Sequence, residues 1–157
     1  MIEFSISALD KALVTLCGKE QPDFIGLAEN DFLKVVSDME YTLTASKVSG
    51  GVLISGSCQV TVAGTCGRCL CEVTEKVLLD DLELFFEVPP EQEILDVSED
   101  VRAELVLEFP MNMLCNENCR GLCHNCGANL NKNTCKCQNQ SGSSGDMRWS
   151  ALDDLKF

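Results

Sequence analysis

The chain has 157 residues, of which 45% are hydrophobic and 24% charged, and its net charge at pH 7 is −13. This length allows one domain with a small appended module, and the composition excludes a largely disordered chain. No apolar run approaches the roughly 18 residues that a membrane-spanning helix needs. Because so acidic a chain has no general attraction to phosphate backbones or anionic membranes, we expect its partners to be basic.

The N-terminus and the cysteines indicate the compartment. Glu3 stands where a secretory signal peptide would carry positive charge. The 11 cysteines are an odd number, and most of them come in close pairs. That usage favours metal binding over a disulfide framework, so we expect a soluble protein of the reducing cytoplasm.

The N-terminal third predicts a short strand in residues 2–7 and then a helix over residues 8–17. The helix is expected because Leu9, Leu13 and Leu16 have helical spacing.

From Met39 the hydrophobic period changes to two. Residues 40–45, 51–64 and 71–86 are rich in Val, Ile, Leu and Thr, with Gly50-Gly51 at the first turn. These segments predict an antiparallel β-meander and hence an α+β fold with a few helices.

The C-terminal half predicts one more helix and then a change of composition. Residues 96–108 have Asp96 as a candidate N-cap and helical spacing up to Pro110. Residues 115–137 hold six cysteines and almost no apolar periodicity, so they cannot order themselves around a hydrophobic core. We expect a core domain over residues 1–110, a cysteine-rich zinc module over 111–137, and a linker with a short helix over 138–157.

The last four cysteines predict a self-contained zinc site. Cys123 and Cys126 form a C-x-x-C knuckle that Gly127 follows, and Cys135 and Cys137 lie nine residues further on. Zinc prefers four thiolates in a tetrahedron, and a knuckle supplies two of them from one tight turn. Iron–sulfur clusters use the same thiolates, yet none of the ferredoxin spacings is present.

Two further pairs predict a second site that joins distant parts of the chain. Cys66 and Cys69 lie at the tip of the second hairpin, and Cys115 and Cys119 follow the predicted helix. A shared ion would fasten the end of that helix to the sheet. The spacing leaves one alternative open, in which the four cysteines between residues 115 and 126 share one ion and the knuckle at Cys66 stays free.

The remaining cysteines and the single histidine carry weaker signals. Cys17 and Cys58 fall in apolar periodic stretches, which predicts buried hydrophobic side chains. Cys71 alternates with Cys69 on a strand and is as well explained as a bystander as a ligand. His124 lies between two predicted ligands, which argues against a Cys-His nucleophile. Because no phosphate-binding loop or hydrolase motif is present, we expect no enzyme.

These motifs together resemble the YceD family, also called the large ribosomal RNA subunit accumulation proteins. The resemblance rests on the hairpin Cys66-Gly-Arg68-Cys69-Leu70, on Cys-x3-Cys-Arg-Gly-Leu-Cys-x2-Cys-Gly-x-Asn-Leu-Asn with the following Cys-x-Cys, and on the closing Asp-Met-Arg-Trp. It runs from about Met39 to the tail. It implies a factor needed for normal accumulation of large-subunit ribosomal RNA, without established enzymatic activity. The matching positions are Cys66, Arg68, Cys69, Cys115, Cys119, Cys123, Cys126, Cys135 and Cys137.

Charge suggests how such a factor would act. Residues 72–110 contain 13 acidic and two basic residues. Direct contact of this segment with RNA would be penalised, so we expect a basic ribosomal or assembly protein as partner, with ribosomal RNA influenced indirectly. The candidate contact residues are Glu83, Glu87, Glu91 and Glu93, together with Arg68, which is either a solvated spacer or a contact to a carboxylate or phosphate. The alternatives are an RNA-binding zinc module using Arg120, Lys132 and Lys136, and a metal- or redox-dependent enzyme.

Overall fold

The protein is described by a computed structural model that covers residues 1–27, 33–135 and 137. Antiparallel sheet dominates this part of the chain, which also contains two α-helices and a 3-10 turn at Pro22–Phe24. The strands are β1 (Glu3–Ser5), β2 (Val14–Glu20), β3 (Leu33–Val35), β4 (Met39–Val48), β5 (Gly51–Thr65), β6 (Glu72–Phe86) and β7 (Ile94–Asp96), and the helices are α1 (Ile6–Leu9) and α2 (Ser98–Leu107).

The predicted meander is confirmed as the centre of a five-stranded sheet. β4 pairs with β5 from Val48↔Gly51 to Glu40↔Gln59, and β5 pairs with β6 from Val52↔Phe86 to Thr65↔Glu72. β2 pairs with β4, and the short β3 pairs with β5. The β5–β6 hairpin is long, so its connecting turn, residues 66–71, lies at one end of the sheet.

One face of this sheet supplies the hydrophobic core. Residues that alternate along β5, among them Val52, Ile54, Val60 and Val62, are almost completely buried, as period-two patterning requires. They join buried residues of the small β1–β7 sheet and of α2 in one cluster. The predicted α+β class is therefore confirmed.

Helix α2 confirms the second helix prediction, with slightly shorter bounds. Its core face consists of Val101 and Leu105, each fully buried, and Val97 just before it. Asp96 lies one position before the N-cap residue, yet its Oδ1 accepts a 2.9 Å hydrogen bond from the amide of Ser98. The hydroxyl of Ser98 in turn accepts a hydrogen bond from the amide of Ile2, which ties the helix start to the N-terminal segment.

The helix predicted over residues 8–17 is wrong. Only Ile6–Leu9 form a helical turn, and Val14–Glu20 form β2. As a strand this segment pairs with β4, for example at Leu16↔Leu43, and so forms backbone hydrogen bonds that an isolated helix would lack. Leu13, which the helix prediction placed on the apolar face, is 68% exposed. The same alternation makes Cys17 exposed, so its predicted burial is wrong, whereas the predicted burial of Cys58 is confirmed.

Two predictions concern other parts of the chain. The predicted linker and C-terminal helix, residues 138–157, lie outside the described residues. Within the described part, no helix has the length and apolar character that crossing a membrane requires.

Candidate metal centres

The first cysteine cluster lies where the β5–β6 hairpin meets the loop after α2. Cys66 and Cys69 come from the hairpin turn, and Cys115 and Cys119 come from the loop. Their four sulfurs all lie within 4.8 Å of one another. The Sγ atoms of Cys66 and Cys119 are 3.9 Å apart, and those of Cys69 and Cys115 are 3.5 Å apart.

The second cluster is built within the C-terminal segment. It contains Cys123, Cys126, Cys135 and Cys137, whose sulfurs also lie within 4.8 Å of one another. The Sγ of Cys135 lies 3.3 Å from that of Cys123 and 3.5 Å from that of Cys126. The structure thus groups the eight cysteines into the two fours expected from the sequence, and the alternative grouping of Cys115 with Cys123 is not the one found.

The sulfur separations fit a metal ion. Four thiolates at about 2.3 Å from a central ion form a tetrahedron whose edges are about 3.8 Å, whereas a disulfide would need about 2.05 Å. The observed separations of 3.3 to 3.9 Å lie close to the tetrahedral edge. Each cluster can therefore hold one metal ion with thiolate ligands.

Both C-x-x-C turns have the same backbone geometry. In the hairpin turn the amide of Leu70 donates to the carbonyl of Cys66 at 2.9 Å, and in the second turn Gly127 donates to Cys123 at 2.8 Å. The donor residue has a positive φ in both cases, 57° at Leu70 and 69° at Gly127. A left-handed leucine is uncommon, so the hairpin turn holds this conformation without the help of glycine.

Backbone amides favour thiolate at one cysteine of each cluster. Hydrogen bonds from the backbones of Cys115 and Arg68 lower the pKa of Cys66 to about 6. Those from Cys126 and Asn125 lower the pKa of Cys123 to about 6. Because thiolate rather than thiol binds metal, the lowered pKa values favour metal binding at Cys66 and Cys123.

At least one thiol in each cluster has a raised pKa and so retains its proton at neutral pH, and in the second cluster this holds for both Cys135 and Cys137. Side-chain hydrogen bonds to Cys119 and Cys69 raise the pKa of Cys115 far above that of a free thiol. At Cys135 the backbone amide of Cys137 lowers the pKa, but neighbouring thiols, Cys123 foremost, outweigh it and raise the pKa to about 12. Metal binding therefore has to displace a proton from each cluster.

Backbone hydrogen bonds and one arginine hold the loop of the first cluster against the hairpin. The amide of Gly67 donates to the carbonyl of Met113 at 2.9 Å. Nη1 of Arg68 donates to the carbonyls of Glu117 and Cys119 at 3.0 and 3.2 Å. Arg68 is thus neither a solvated spacer nor, within the described residues, paired with a carboxylate.

Cys71 is placed against the first cluster. Its Sγ lies 3.1 Å from that of Cys69, but it is not among the four sulfurs that all lie close together. It is a fifth thiol at the edge of the site, intermediate between the bystander and the ligand weighed from the sequence. His124 belongs to neither group of cysteines and is exposed.

The structure leaves the four candidate acidic contact residues exposed. Glu83 lies on β6, Glu87 follows that strand, and Glu91 and Glu93 lie in the connection to β7. Within the described residues none of the four takes part in an ion pair. Among the described strands β6 pairs only with β5, so its acidic residues lie on an edge strand of this part of the sheet.

The basic residues considered for RNA contact lie in the cysteine-rich segment. Arg120 and Lys132 are exposed, and the backbone amide of Arg120 is bonded to the side chain of the residue before Lys132. Lys136 lies outside the described residues.

Sequence comparison gives one family match. The family model described as "Large ribosomal RNA subunit accumulation protein YceD" matches residues 75–156, just over half of the chain. The matched region includes α2, Cys115 and Cys119 of the first cluster, and the whole second cluster. It begins after the hairpin turn, so Cys66 and Cys69 lie outside it. No solved structure matches the chain.

Relatives come from plants and mycobacteria. A chloroplastic large ribosomal RNA subunit accumulation protein YCED homolog 1 of Arabidopsis thaliana is 39% identical over 57 residues, which are 36% of this chain and 18% of that protein. The Zea mays protein of the same name is 42% identical over 57 residues, 34% of this chain and 20% of that protein. An uncharacterized protein of Mycobacterium tuberculosis is 30% identical over 106 residues, 59% of this chain. The chain spans about half the length of the mycobacterial relative and about a fifth of the plant proteins.

Proposed function

The chain belongs to the YceD family, and we propose that it is a non-enzymatic zinc-binding factor that supports accumulation of large-subunit ribosomal RNA and ribosome assembly. The name of the matching family carries the ribosomal part of this proposal. The observation that carries the metal part is the pair of four-cysteine clusters with near-tetrahedral sulfur spacing.

Zinc is the proposed ion because all eight candidate ligands are cysteine sulfurs. Sets of four thiolates are typical of structural zinc sites, in which no position stays open for a substrate. Such an ion contributes folding free energy. In the first cluster it would hold the loop after α2 to the hairpin, and in the second it would order a segment with few apolar residues.

We propose that the acidic segment binds a basic ribosomal or assembly protein. Support comes from the 13 acidic and two basic residues between positions 72 and 110. Glu83, Glu87, Glu91 and Glu93 are exposed and take part in none of the ion pairs of the described residues. Unpaired charges of one sign repel each other, so a basic partner would relieve that repulsion and speed association. The competing explanation is that the acids of β6 only keep this edge strand from pairing with other chains.

Charge reversal separates the two explanations. Lysine at the four glutamates should preserve metal content and melting temperature, since all four are exposed, while lowering recovery of pre-ribosomal proteins from cell extract. The matched control reverses four exposed acids outside the segment, with the same change in net charge: Glu3, Asp23, Asp38 and Glu117. Wild-type recovery should weaken as salt rises. If the segment variant binds as well as the control and restores ribosomal RNA levels in cells lacking the protein, the acidic segment is not the interface.

A direct RNA contact is the second candidate, because Arg120 and Lys132 are exposed on adjacent segments. In that case a purified ribosomal RNA fragment would bind without protein partners. Its affinity would fall steeply with salt, and alanine at both positions would reduce the salt dependence. Ribonuclease treatment of the extract would then abolish recovery, whereas recovery through a protein partner would survive it.

A further inference from the structure

Asn131 belongs to the loop of the second cluster, yet its side chain contacts a ligand of the first. Its Nδ2 donates to the Sγ of Cys119 at 3.2 Å, and its Oδ1 accepts from the backbone amide of Arg120 at 2.8 Å. Because a backbone N–H can only donate, the Arg120 contact fixes which side-chain atom is the oxygen. The N–H group of the amide therefore faces the sulfur.

The loop around Asn131 is positioned by the second cluster. Asn131 lies between Cys126 and Cys135, so a shared ion closes the chain on both sides of it. Within the loop, the amide of Asn131 donates to Oδ1 of Asn129, and the amide of Leu130 donates to the carbonyl of Gly121. The position of the Asn131 amide thus depends on the order of the second cluster.

Backbone contacts continue this connection to the hairpin of the first cluster. The amide of Leu122 donates to the carbonyl of Arg68 at 3.1 Å. Gly121 has a φ of 72°, and a Cβ built on it would lie 3.0 Å from that same carbonyl oxygen. The segment between Cys119 and Cys123 is therefore packed between the hairpin turn and the Asn131 loop.

We propose that the two clusters bind metal cooperatively and that Asn131 is the positioning residue that couples them. A hydrogen bond from an amide to a ligand sulfur offsets the negative charge of the thiolate and fixes its direction. Loss of such outer partners typically lowers metal affinity about 10- to 100-fold. An ion in the second cluster orders the loop and thereby supplies this bond to the first, and by linkage an ion in the first cluster strengthens the second by the same factor. The inference rests on the proposed metal binding.

The coupling is measured with zinc on the full chain by competition with a chelator. Cys126→Ser leaves only the first cluster complete, and Cys115→Ser leaves only the second. The joint affinity of the wild type for two ions, divided by the product of the two single-cluster affinities, is the coupling factor. We expect a factor of about 10 or more in the wild type, a factor close to 1 in Asn131→Ala, and the wild-type factor in the control Asn133→Ala. The control residue is exposed, and its side chain makes no hydrogen bond among the described residues.

The outcomes separate this inference from the proposed function. A wild type that binds two ions with a factor of 1, or an Asn131→Ala variant that keeps the full factor, would overturn the coupling and leave the metal sites intact. A wild type that binds no metal would overturn both proposals. If Asn131→Ala does not fold, the NMR signal of the Asn131 side-chain amide decides. The chemical shift of this amide should change when zinc fills the first cluster of the wild type, but not when zinc fills the first cluster of Cys126→Ser. Equal changes in both proteins would overturn the role of Asn131.

Discussion

Replacing Arg68 with alanine tests how the loop of the first cluster is held before metal arrives. The side chain makes two hydrogen bonds, to the carbonyls of Glu117 and Cys119. A hydrogen bond from a charged donor contributes roughly 1.5 to 3 kcal/mol when buried. Because Arg68 is exposed, we expect both bonds together to contribute only about 1 to 2 kcal/mol.

This contribution should appear as lost metal affinity. Without the arginine the loop that carries Cys115 and Cys119 is held to the hairpin by backbone contacts alone, so metal binding must also order it more fully. A loss of about 1 to 2 kcal/mol corresponds to roughly 5- to 30-fold weaker binding at the first cluster. The measurement is zinc competition with a chelator in the Cys126→Ser background, where the first cluster alone is complete.

Arg120→Ala is the matched control, because Arg120 lies on the same loop and only its backbone amide makes a hydrogen bond among the described residues. It should leave the affinity within a factor of about two. Equal affinities for the Arg68 and Arg120 variants would refute the view that the guanidinium holds the loop for metal.

Two further predictions concern backbone strain and pH. Gly121→Ala and Gly127→Ala both place a side chain at a φ near 70°, but only Gly121 has a carbonyl oxygen, that of Arg68, in the way. Gly121→Ala should therefore destabilise the metal-loaded protein by about 1 kcal/mol or more beyond Gly127→Ala, and equal melting temperatures would contradict this. Because the raised pKa values of Cys115 and Cys135 keep both thiols protonated at neutral pH, zinc affinity should fall at least about tenfold for each pH unit lost below 8. Chelator competition between pH 6.5 and 8 would contradict this if affinity did not change.

The β-meander and the second cluster were largely predictable because their signals are local. Period-two patterning and the glycine turn define the β4–β5–β6 meander, and the spacing of Cys123 with Cys126 defines a knuckle without knowledge of the rest of the chain. The error at residues 8–17 has the opposite origin. Leu9, Leu13 and Leu16 are spaced as in a helix, but pairing of Leu16 with Leu43 in β4 decides the outcome. That partner lies too far along the chain for a local pattern to reveal it.

The side chains that support the clusters could not be predicted, because their contacts are long-range. Arg68 contacts carbonyls 49 and 51 residues away, and Asn131 reaches a sulfur that belongs to the other cluster. The sequence offered only their positions within motifs: Arg68 lies between two cysteines, and Asn131 ends the Asn-Leu-Asn run. A residue inside a metal-binding motif that is not itself a ligand can thus act by positioning one.

Metal content is the most direct test of the two-cluster account. Native mass spectrometry of the full chain, beside a thiol titration, should find two zinc ions per chain. It should find one ion in Cys115→Ser and one in Cys126→Ser, since each substitution removes a ligand of a different cluster. A metal-free wild type with its cysteines in disulfides would contradict the account. So would a wild type with a single ion that either substitution removes.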